Sequence, residues 1–220
     1  MAIPKTIIQT FKTDKLPLIT KWHIRQLKKR NPDYDYQFYD DDRIDAFILD
    51  EFGNDIYTLF KKINIGAAMA DFFRYAILYR KGGIYLDIDS RITRPIGEFI
   101  LPSDKAVITL EGNLKFYVQY ALFYEPEHVF LEKTLDIVIR NLKENKYPYN
   151  THQMTGPSAY TEAINSVKKE STDLYRELSF DYANNVEFSY PMSKLFLYGI
   201  SRKNHWKKQT QLTPVIGEKV

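Results

Sequence analysis

The chain has 220 residues, enough for one domain with its own core, and its formal net charge of +3 is too small to indicate nucleic-acid binding. It contains no cysteine, which excludes disulfide bonds and thiolate metal sites. Any bound metal therefore needs oxygen or imidazole ligands, which favours Mg²⁺, Mn²⁺ or Ca²⁺.

The first part of the sequence alternates strand and helix patterns. A β-branched run predicts a strand over residues 3–11, and a helix with Trp22 in the core is predicted over 19–30. A second strand is predicted over 36–39. The aspartates at 40–42 are suited to begin a helix that runs to about Phe52. This alternation predicts an α/β sheet.

The clearest helix pattern covers residues 65–80 and stops at Gly82-Gly83, before a buried strand over 84–87. The later elements are predicted as strands at 106–110 and 117–123, helices at 130–144 and 157–168, and short aromatic strands at 186–188 and 195–197. No repeat or linker interrupts them, so we interpret residues 1–220 as a single domain.

The N-terminus has no basic-then-apolar signal pattern, and no apolar run approaches the roughly 18 residues of a membrane helix, so we expect a cytoplasmic protein. Basic residues cluster at 28–30, at 61–62 and at Arg202, Lys203, Lys207 and Lys208. These clusters have two interpretations. They are either solvated surface charge or a peripheral contact with an anionic membrane or a phosphate-bearing acceptor.

Two carboxylates at the end of the strand over 84–87 carry the main functional signal. Strand residues alternate faces, so Asp87 and Asp89 are expected to point the same way, with Ile88 in the core. The carboxyl end of a buried α/β strand is where such sheets bind ligands. A divalent cation would relieve the repulsion between these carboxylates and would also accept diphosphate oxygens.

The preceding helix carries an acid and a base on one stripe, because Asp71 and Arg74 are three residues apart. They are either an ion pair that stabilises the core or a pair that binds a sugar and its phosphate. Gln119 is interpreted either as an amide near a reacting sugar or as a surface or core amide.

Together these residues resemble a known sequence pattern, Asp71-x-x-Arg74-Tyr75-x-x-Leu78-x-x-x-Gly82-Gly83-x-Tyr85-x-Asp87-x-Asp89. It is similar to the sugar-binding region of DXD-motif glycosyltransferases of the Och1-like mannosyltransferase and capsular-polysaccharide type. Further similarity lies at residues 3–11, 31–40, 155–157 and 205–206. Phe11 stands where that family has tryptophan, and Ile8 where it usually has histidine.

The resemblance implies a GT-A fold, a Rossmann-like αβα sandwich with a mixed central sheet. It also implies retaining transfer of a hexose from a UDP- or GDP-sugar, with Mn²⁺ or Mg²⁺, to a glycan, glycolipid or glycoprotein acceptor. The site residues it implies are Asp71, Arg74 and Asp87 for catalysis, Gln9, Thr10, Phe11, Asp71, Arg74, Gly83, Tyr85 and Asp87 for the donor, and Asp87, Asp89 and His205 for the metal.

Two other classes of function also use parts of this pattern. A metal-dependent nucleotidyltransferase or phosphohydrolase needs paired aspartates, but it does not need the Asp71–Arg74 stripe and would release pyrophosphate or phosphate. A non-catalytic saccharide-binding relative would keep the aromatic residues and could lose Asp89.

Overall fold

The computed structural model describes residues 3–170, 172–191, 193–198 and 212–217. Its strands are β1 (Thr6–Thr10), β2 (Asp35–Tyr39), β3 (Gly83–Leu86), β4 (Arg91–Ile92), β5 (Ala106–Ile108), β6 (Ala121–Tyr124), β7 (Arg176–Glu177) and β8 (Val186–Glu187). Its helices are α1 (Leu18–Arg30), α2 (Asp41–Lys61), α3 (Gly66–Lys81), α4 (Val129–Lys143), α5 (Thr151–Met154), α6 (Pro157–Val167), α7 (Phe180–Ala183) and α8 (Ser193–Tyr198).

The central sheet has six strands in the order β2-β1-β3-β6-β5-β7. β1 is parallel to β2 and β3, whereas β6 is antiparallel to β3 and β5. A second, two-stranded sheet pairs β4 with β8. The predicted α/β fold with a mixed central sheet is therefore confirmed.

Both faces of the central sheet are covered, because successive strand residues point to opposite sides. Ile8 and Tyr85 face a core built with α2, α3, α4 and α6. Ile7 and Ile84 face a second core, against which Leu27 of α1 packs. This arrangement forms the three layers of an αβα sandwich.

The junction between α3 and β3 is set by two glycines. Gly82 ends the helix with φ of 62°, and a Cβ there would lie 2.6 Å from the Cδ of Pro126. Gly83 begins the strand with φ of 107°, and its Cβ would lie 2.8 Å from the carbonyl oxygen of Thr6. Close packing explains both glycines. The two glycines allow α3 and β3 to be separated by only one residue.

Three predictions about the helices and about a C-terminal strand were wrong. α2 continues past Phe52, because Gly53 absorbs a kink with φ of 75°. Residues 195–197 lie in α8 rather than in a strand, since a short apolar run does not distinguish the two. Trp22 is 50% exposed, because α1 turns its other face to the protein. The single-domain interpretation stays a prediction.

Candidate active site

The two motif aspartates lie in a turn that follows β3. The strand ends at Leu86, and the amide of Ser90 donates to the carbonyl of Asp87 at 2.9 Å. The expectation that Asp87 and Asp89 alternate along a strand was therefore wrong, because β3 ends at Leu86, before either aspartate. Ile88 is buried as predicted.

Neighbouring segments fix the backbone of this turn. The Nε2 of Gln9 donates to the carbonyl of Asp87 at 3.1 Å, and the amide of Asp87 donates to the carbonyl of Tyr120 at 2.8 Å. The carbonyl of Asp89 accepts from the amide of Tyr190 at 2.8 Å. Hydrogen bonds to β1, to the segment before β6 and to the segment after β8 thus fix the turn.

Arg74 lies between two carboxylates. Its Nη2 is 3.4 Å from Oδ1 of Asp71 and 3.1 Å from Oδ1 of Asp87. The guanidinium also stacks over the ring of Tyr85, with its central carbon 4.8 Å from the ring centre. Arg74 is buried, and its Nη1 donates to the carbonyl of Gln119 at 2.8 Å. The predicted stripe on α3 and the predicted motif on β3 therefore form one charged cluster.

The carboxylate of Asp71 is held on both of its oxygens. Arg74 approaches Oδ1, and the hydroxyl of Thr155 donates to Oδ2 at 2.9 Å. Burial raises the pKa of Asp71 to about 6 and outweighs Arg74 and the Thr155 hydrogen bond, which both lower it. The acid is therefore oriented by its neighbours and is less acidic than an ordinary aspartate.

A second layer of polar groups supports Asp71. The hydroxyl of Tyr75 donates to the carbonyl of Thr155 at 3.0 Å and accepts from the side-chain amide of Gln119. Both Tyr75 and Gln119 are buried. Of the two interpretations of Gln119, the structure supports the core amide. Sequence reasoning missed the contact of Thr155 with Asp71, because these residues are 84 positions apart.

The end of β1 lies beside the turn. Gln9 is buried and accepts a hydrogen bond from the hydroxyl of Tyr36 at 3.0 Å, while Thr10 donates to the carbonyl of Tyr39 at 2.7 Å. Phe11 is only partly buried, as a ring that stacks on a nucleotide base would be. The predicted donor contacts of these three β1 residues stay predictions.

The two other predicted donor residues belong to β3. Tyr85 is fully buried, and its hydroxyl donates to Oδ1 of Asp87 at 3.1 Å. Gly83 begins the strand, and its close neighbour is Thr6. The structure accounts for Gly83 by strand packing, and its donor contact stays a prediction.

The carboxylate oxygens of Asp87 and Asp89 are of the chemical type that a divalent cation prefers. Mg²⁺ and similar ions are commonly bound through one or two carboxylates together with phosphate oxygens and water. Oδ1 of Asp87 is engaged by Arg74 and Tyr85, so Oδ2 is the oxygen that would face a cation. Within the described part of the chain, no group of three or more aspartate, glutamate or histidine side chains forms a complete metal cage. His205, the predicted third ligand, lies outside the described residues.

Asp71, Arg74, Asp87 and Asp89 lie in a region that matches a known protein family. Residues 20–107 match the family described as glycosyltransferase sugar-binding region containing DXD motif. The chain therefore carries the sugar-binding region of the DXD-motif glycosyltransferases, and the resemblance predicted from the sequence is confirmed.

Two relatives illustrate the similarity. An uncharacterized glycosyltransferase, L373, of Acanthamoeba polyphaga mimivirus is 30% identical over 156 residues, which cover 70% of this chain and 60% of that protein. Inositol phosphoceramide mannosyltransferase 3 of Schizosaccharomyces pombe is 37% identical over 97 residues, which cover 43% of this chain and 26% of that protein. The chain thus spans less than two thirds of the length of either relative.

Solved structures support the predicted fold. The PaToxG glycosyltransferase has a TM-score of 0.61 at 18% identity, and the match covers 99% of this chain and 82% of that one. The UDP-bound glycosyltransferase domain of the YGT toxin has a TM-score of 0.56 at 10% identity, covering 80% and 79%. The predicted GT-A fold is therefore confirmed.

Replacing Thr155 by valine is expected to weaken the glycosyl transfer that we propose for this site, without changing the fold. The variant loses the hydrogen bond to Oδ2 of Asp71, which is worth about 1.5 kcal/mol, or roughly a tenfold loss of kcat/KM. Steady-state kinetics on the purified variant measure this loss, and Thr155→Ser should restore most of the activity. Equal activity of the valine and serine variants would argue against this role.

The raised pKa of Asp71 predicts a pH dependence of stability in the metal-free protein. The folded-state pKa of about 6 lies above the unfolded value, so folding favours the protonated acid. Asp71 therefore adds about 3 kcal/mol to the free energy of unfolding below about pH 4. This stabilisation decreases as the pH rises and is lost by about pH 6. Urea denaturation of the wild type and of Asp71→Asn across this range isolates the effect. A stability difference that is constant with pH would contradict it.

Proposed function

We propose that the chain transfers a hexose from a UDP- or GDP-sugar to an acceptor hydroxyl, with retention of the anomeric configuration. The observation that carries the proposal is the charged cluster in which buried Asp71 and Arg74 meet the partly exposed Asp87. It lies at the carboxyl end of β3, next to Asp89, where open α/β sheets bind their ligands.

The hydrogen bonds of Arg74 define its role in the proposal. Its Nε donates to the carbonyl of Ala70 at 3.3 Å, and its Nη1 and Nη2 serve Gln119, Asp71 and Asp87. A guanidinium has five N–H groups, so few are left for a ligand. Arg74 is therefore proposed mainly to position the two carboxylates. Asp71 is proposed to accept hydrogen bonds from the sugar hydroxyls.

Asp87 and Asp89 are proposed to hold Mn²⁺ or Mg²⁺ with the donor diphosphate, and His205 is proposed as a further ligand. The cation would offset the negative charge that develops on the departing nucleoside diphosphate. Phe11 would stack on the base, with Gln9 and Thr10 beside it. Gly83 and Tyr85 complete the proposed donor contacts.

The proposed chemistry requires no dedicated protein base. The bond between the anomeric carbon and the diphosphate oxygen breaks, and the acceptor oxygen bonds to that carbon on the same face. The departing phosphate oxygen then takes the acceptor proton. The protein residues supply position and electrostatic stabilisation. A covalent intermediate on a carboxylate is the alternative mechanism.

The proposed acceptor is a glycan, glycolipid or glycoprotein. The relative from Schizosaccharomyces pombe is named as a mannosyltransferase acting on inositol phosphoceramide, which supports mannose and a lipid-linked hydroxyl as the first pair to test. We propose a cytoplasmic location. Among the described residues, no helix is long and apolar enough to span a membrane.

A donor panel tests this function. The purified chain is incubated with Mn²⁺ and each of several UDP- and GDP-sugars, with and without acceptor, and the released products are separated by chromatography. The proposal expects a nucleoside diphosphate from one or a few donors. Release of pyrophosphate or inorganic phosphate would instead support a nucleotidyltransferase or phosphohydrolase. Sugar binding without release would support a non-catalytic relative.

A further inference from the structure

Helix α1 has an unusual surface composition. Its 13 residues, LITKWHIRQLKKR, include five lysine and arginine residues and no acid. The helix also exposes two large apolar side chains, Leu18 at 85% and Trp22 at 50%. We propose that the outward face of α1 docks the protein on an anionic membrane surface.

Six of the seven exposed side chains of α1 lie on one face of the helix, and only Arg30 lies outside it. At about 100° per residue, one arc of roughly 120° holds the six side chains that we call the α1 face. These are Leu18, Lys21, Trp22, Arg25, Lys28 and Lys29, and all six are exposed. The face therefore combines four cations with two apolar groups. This composition is typical of helices that lie in a membrane interface.

The cations of this face have no carboxylate within ion-pair distance in the part of the chain that the structure describes. Lys28 lies over the ring of Tyr36 at 5.3 Å. The second basic cluster of the sequence differs in this respect, because Lys61 pairs with Asp45 at 2.6 Å. Positive charge that is not offset within the protein complements the negative charge of anionic lipids.

The two apolar side chains favour a membrane over other anionic partners. A nucleic acid would contact the lysines and the arginine through its phosphates, and it would give Leu18 no apolar environment. In a bilayer interface, leucine and tryptophan enter the acyl boundary while lysine and arginine remain with the headgroups. Both kinds of exposed side chain are then accounted for by one partner.

The side of α1 opposite this face contacts the candidate active site. His23 stacks on Tyr190 with ring centres 3.9 Å apart, and the amide of Tyr190 donates to the carbonyl of Asp89 at 2.8 Å. The helix is thus connected to the Asp87–Asp89 turn through a single residue. Docking by α1 would hold that turn close to the lipid surface.

Vesicle co-sedimentation tests the proposal with the full chain. Vesicles of phosphatidylcholine alone are compared with vesicles that also contain phosphatidylserine, at low and high salt. The wild type is expected to bind the anionic vesicles at least about tenfold more strongly, and salt should weaken this binding. The variant with Lys21, Arg25, Lys28 and Lys29 all changed to glutamine is expected to lose this preference. Trp22→Ala is expected to bind severalfold more weakly.

A matched control separates the α1 face from overall charge. Changing Lys62, Lys115, Lys143 and Lys169 to glutamine removes the same number of charges from other exposed positions. This control should bind like the wild type, and circular dichroism should show that every variant is folded. Equal losses in the two four-site variants, or unchanged binding by Trp22→Ala, would overturn the proposal. So would wild-type binding to a DNA duplex that exceeds its binding to anionic vesicles.

Discussion

Replacement of Arg74 by alanine is expected to abolish glycosyl transfer and to lower the free energy of unfolding by about 3–5 kcal/mol. The side chain is 8% exposed and lies between Asp71 and Asp87, so its removal leaves two carboxylates close together without their shared cation. Urea denaturation and nucleoside diphosphate release, measured on the same preparation, report the two effects separately.

Arg80 provides the control for this change, because it is on the same helix but exposed. Its Nη2 donates to the carbonyl of Glu51 on α2 at 2.9 Å, and this contact involves neither Asp71 nor Asp87. Arg80→Ala should cost about 1 kcal/mol or less and leave transfer intact. If Arg74→Ala were as stable and active as Arg80→Ala, the cluster would have neither a structural nor a catalytic role.

Adding a nucleoside diphosphate together with Mn²⁺ is expected to raise thermal stability far more than either ligand alone. The physical reason is that Asp87 and Asp89 would share the cation with the diphosphate oxygens. A ligand at about 100 times its Kd stabilises the folded state by about 2.7 kcal/mol. Differential scanning calorimetry with UDP and with GDP measures the shift and also identifies the preferred base.

Asp89→Asn should remove the metal-dependent part of this shift, because the neutral amide is a poorer cation ligand. Asp50→Asn, an exposed change on α2, should keep it. Metal-independent stabilisation of the same size in the wild type would contradict the shared site.

Much of the fold was predictable because local signals agreed with tertiary structure. Asp40 caps α2 by accepting from the amide of Arg43 at 3.0 Å, as its position before a helical pattern indicates. Gly82 ends α3 with a positive φ, a conformation that glycine adopts more easily than residues with a Cβ. The motif aspartates also lie where the sequence predicts, at the end of the strand that follows this helix.

The features that were missed depend on contacts between distant segments. The turn after Leu86 is fixed by Tyr120 and Tyr190, which no local pattern connects to it. Residues 181–184, which include most of α7, all have positive φ, although none is glycine. A hydrogen bond from the hydroxyl of Tyr182 to the carbonyl of Ala121 at 2.6 Å fixes this segment. Such long-range constraints override local preference.

The interpretation of the Asp71–Arg74 pair shows a limit of another kind. The sequence offered an ion pair or a ligand-binding pair, and the structure shows the ion pair extended to Asp87. The structure supports the ion pair, and sugar binding by these two residues stays a prediction. Spacing along α3 could not reveal this extension, because the third member of the cluster, Asp87, comes from the turn that follows β3.

The most direct test of the account compares Asp71→Asn with the wild type in two assays, nucleoside diphosphate release from the preferred donor and binding of the free nucleoside diphosphate. Because Asp71 is proposed to contact only the sugar, release should fall by about 100-fold or more, while binding changes by less than about twofold. Asp71→Asn that releases product at the wild-type rate would contradict the central claim that this buried carboxylate binds the donor sugar.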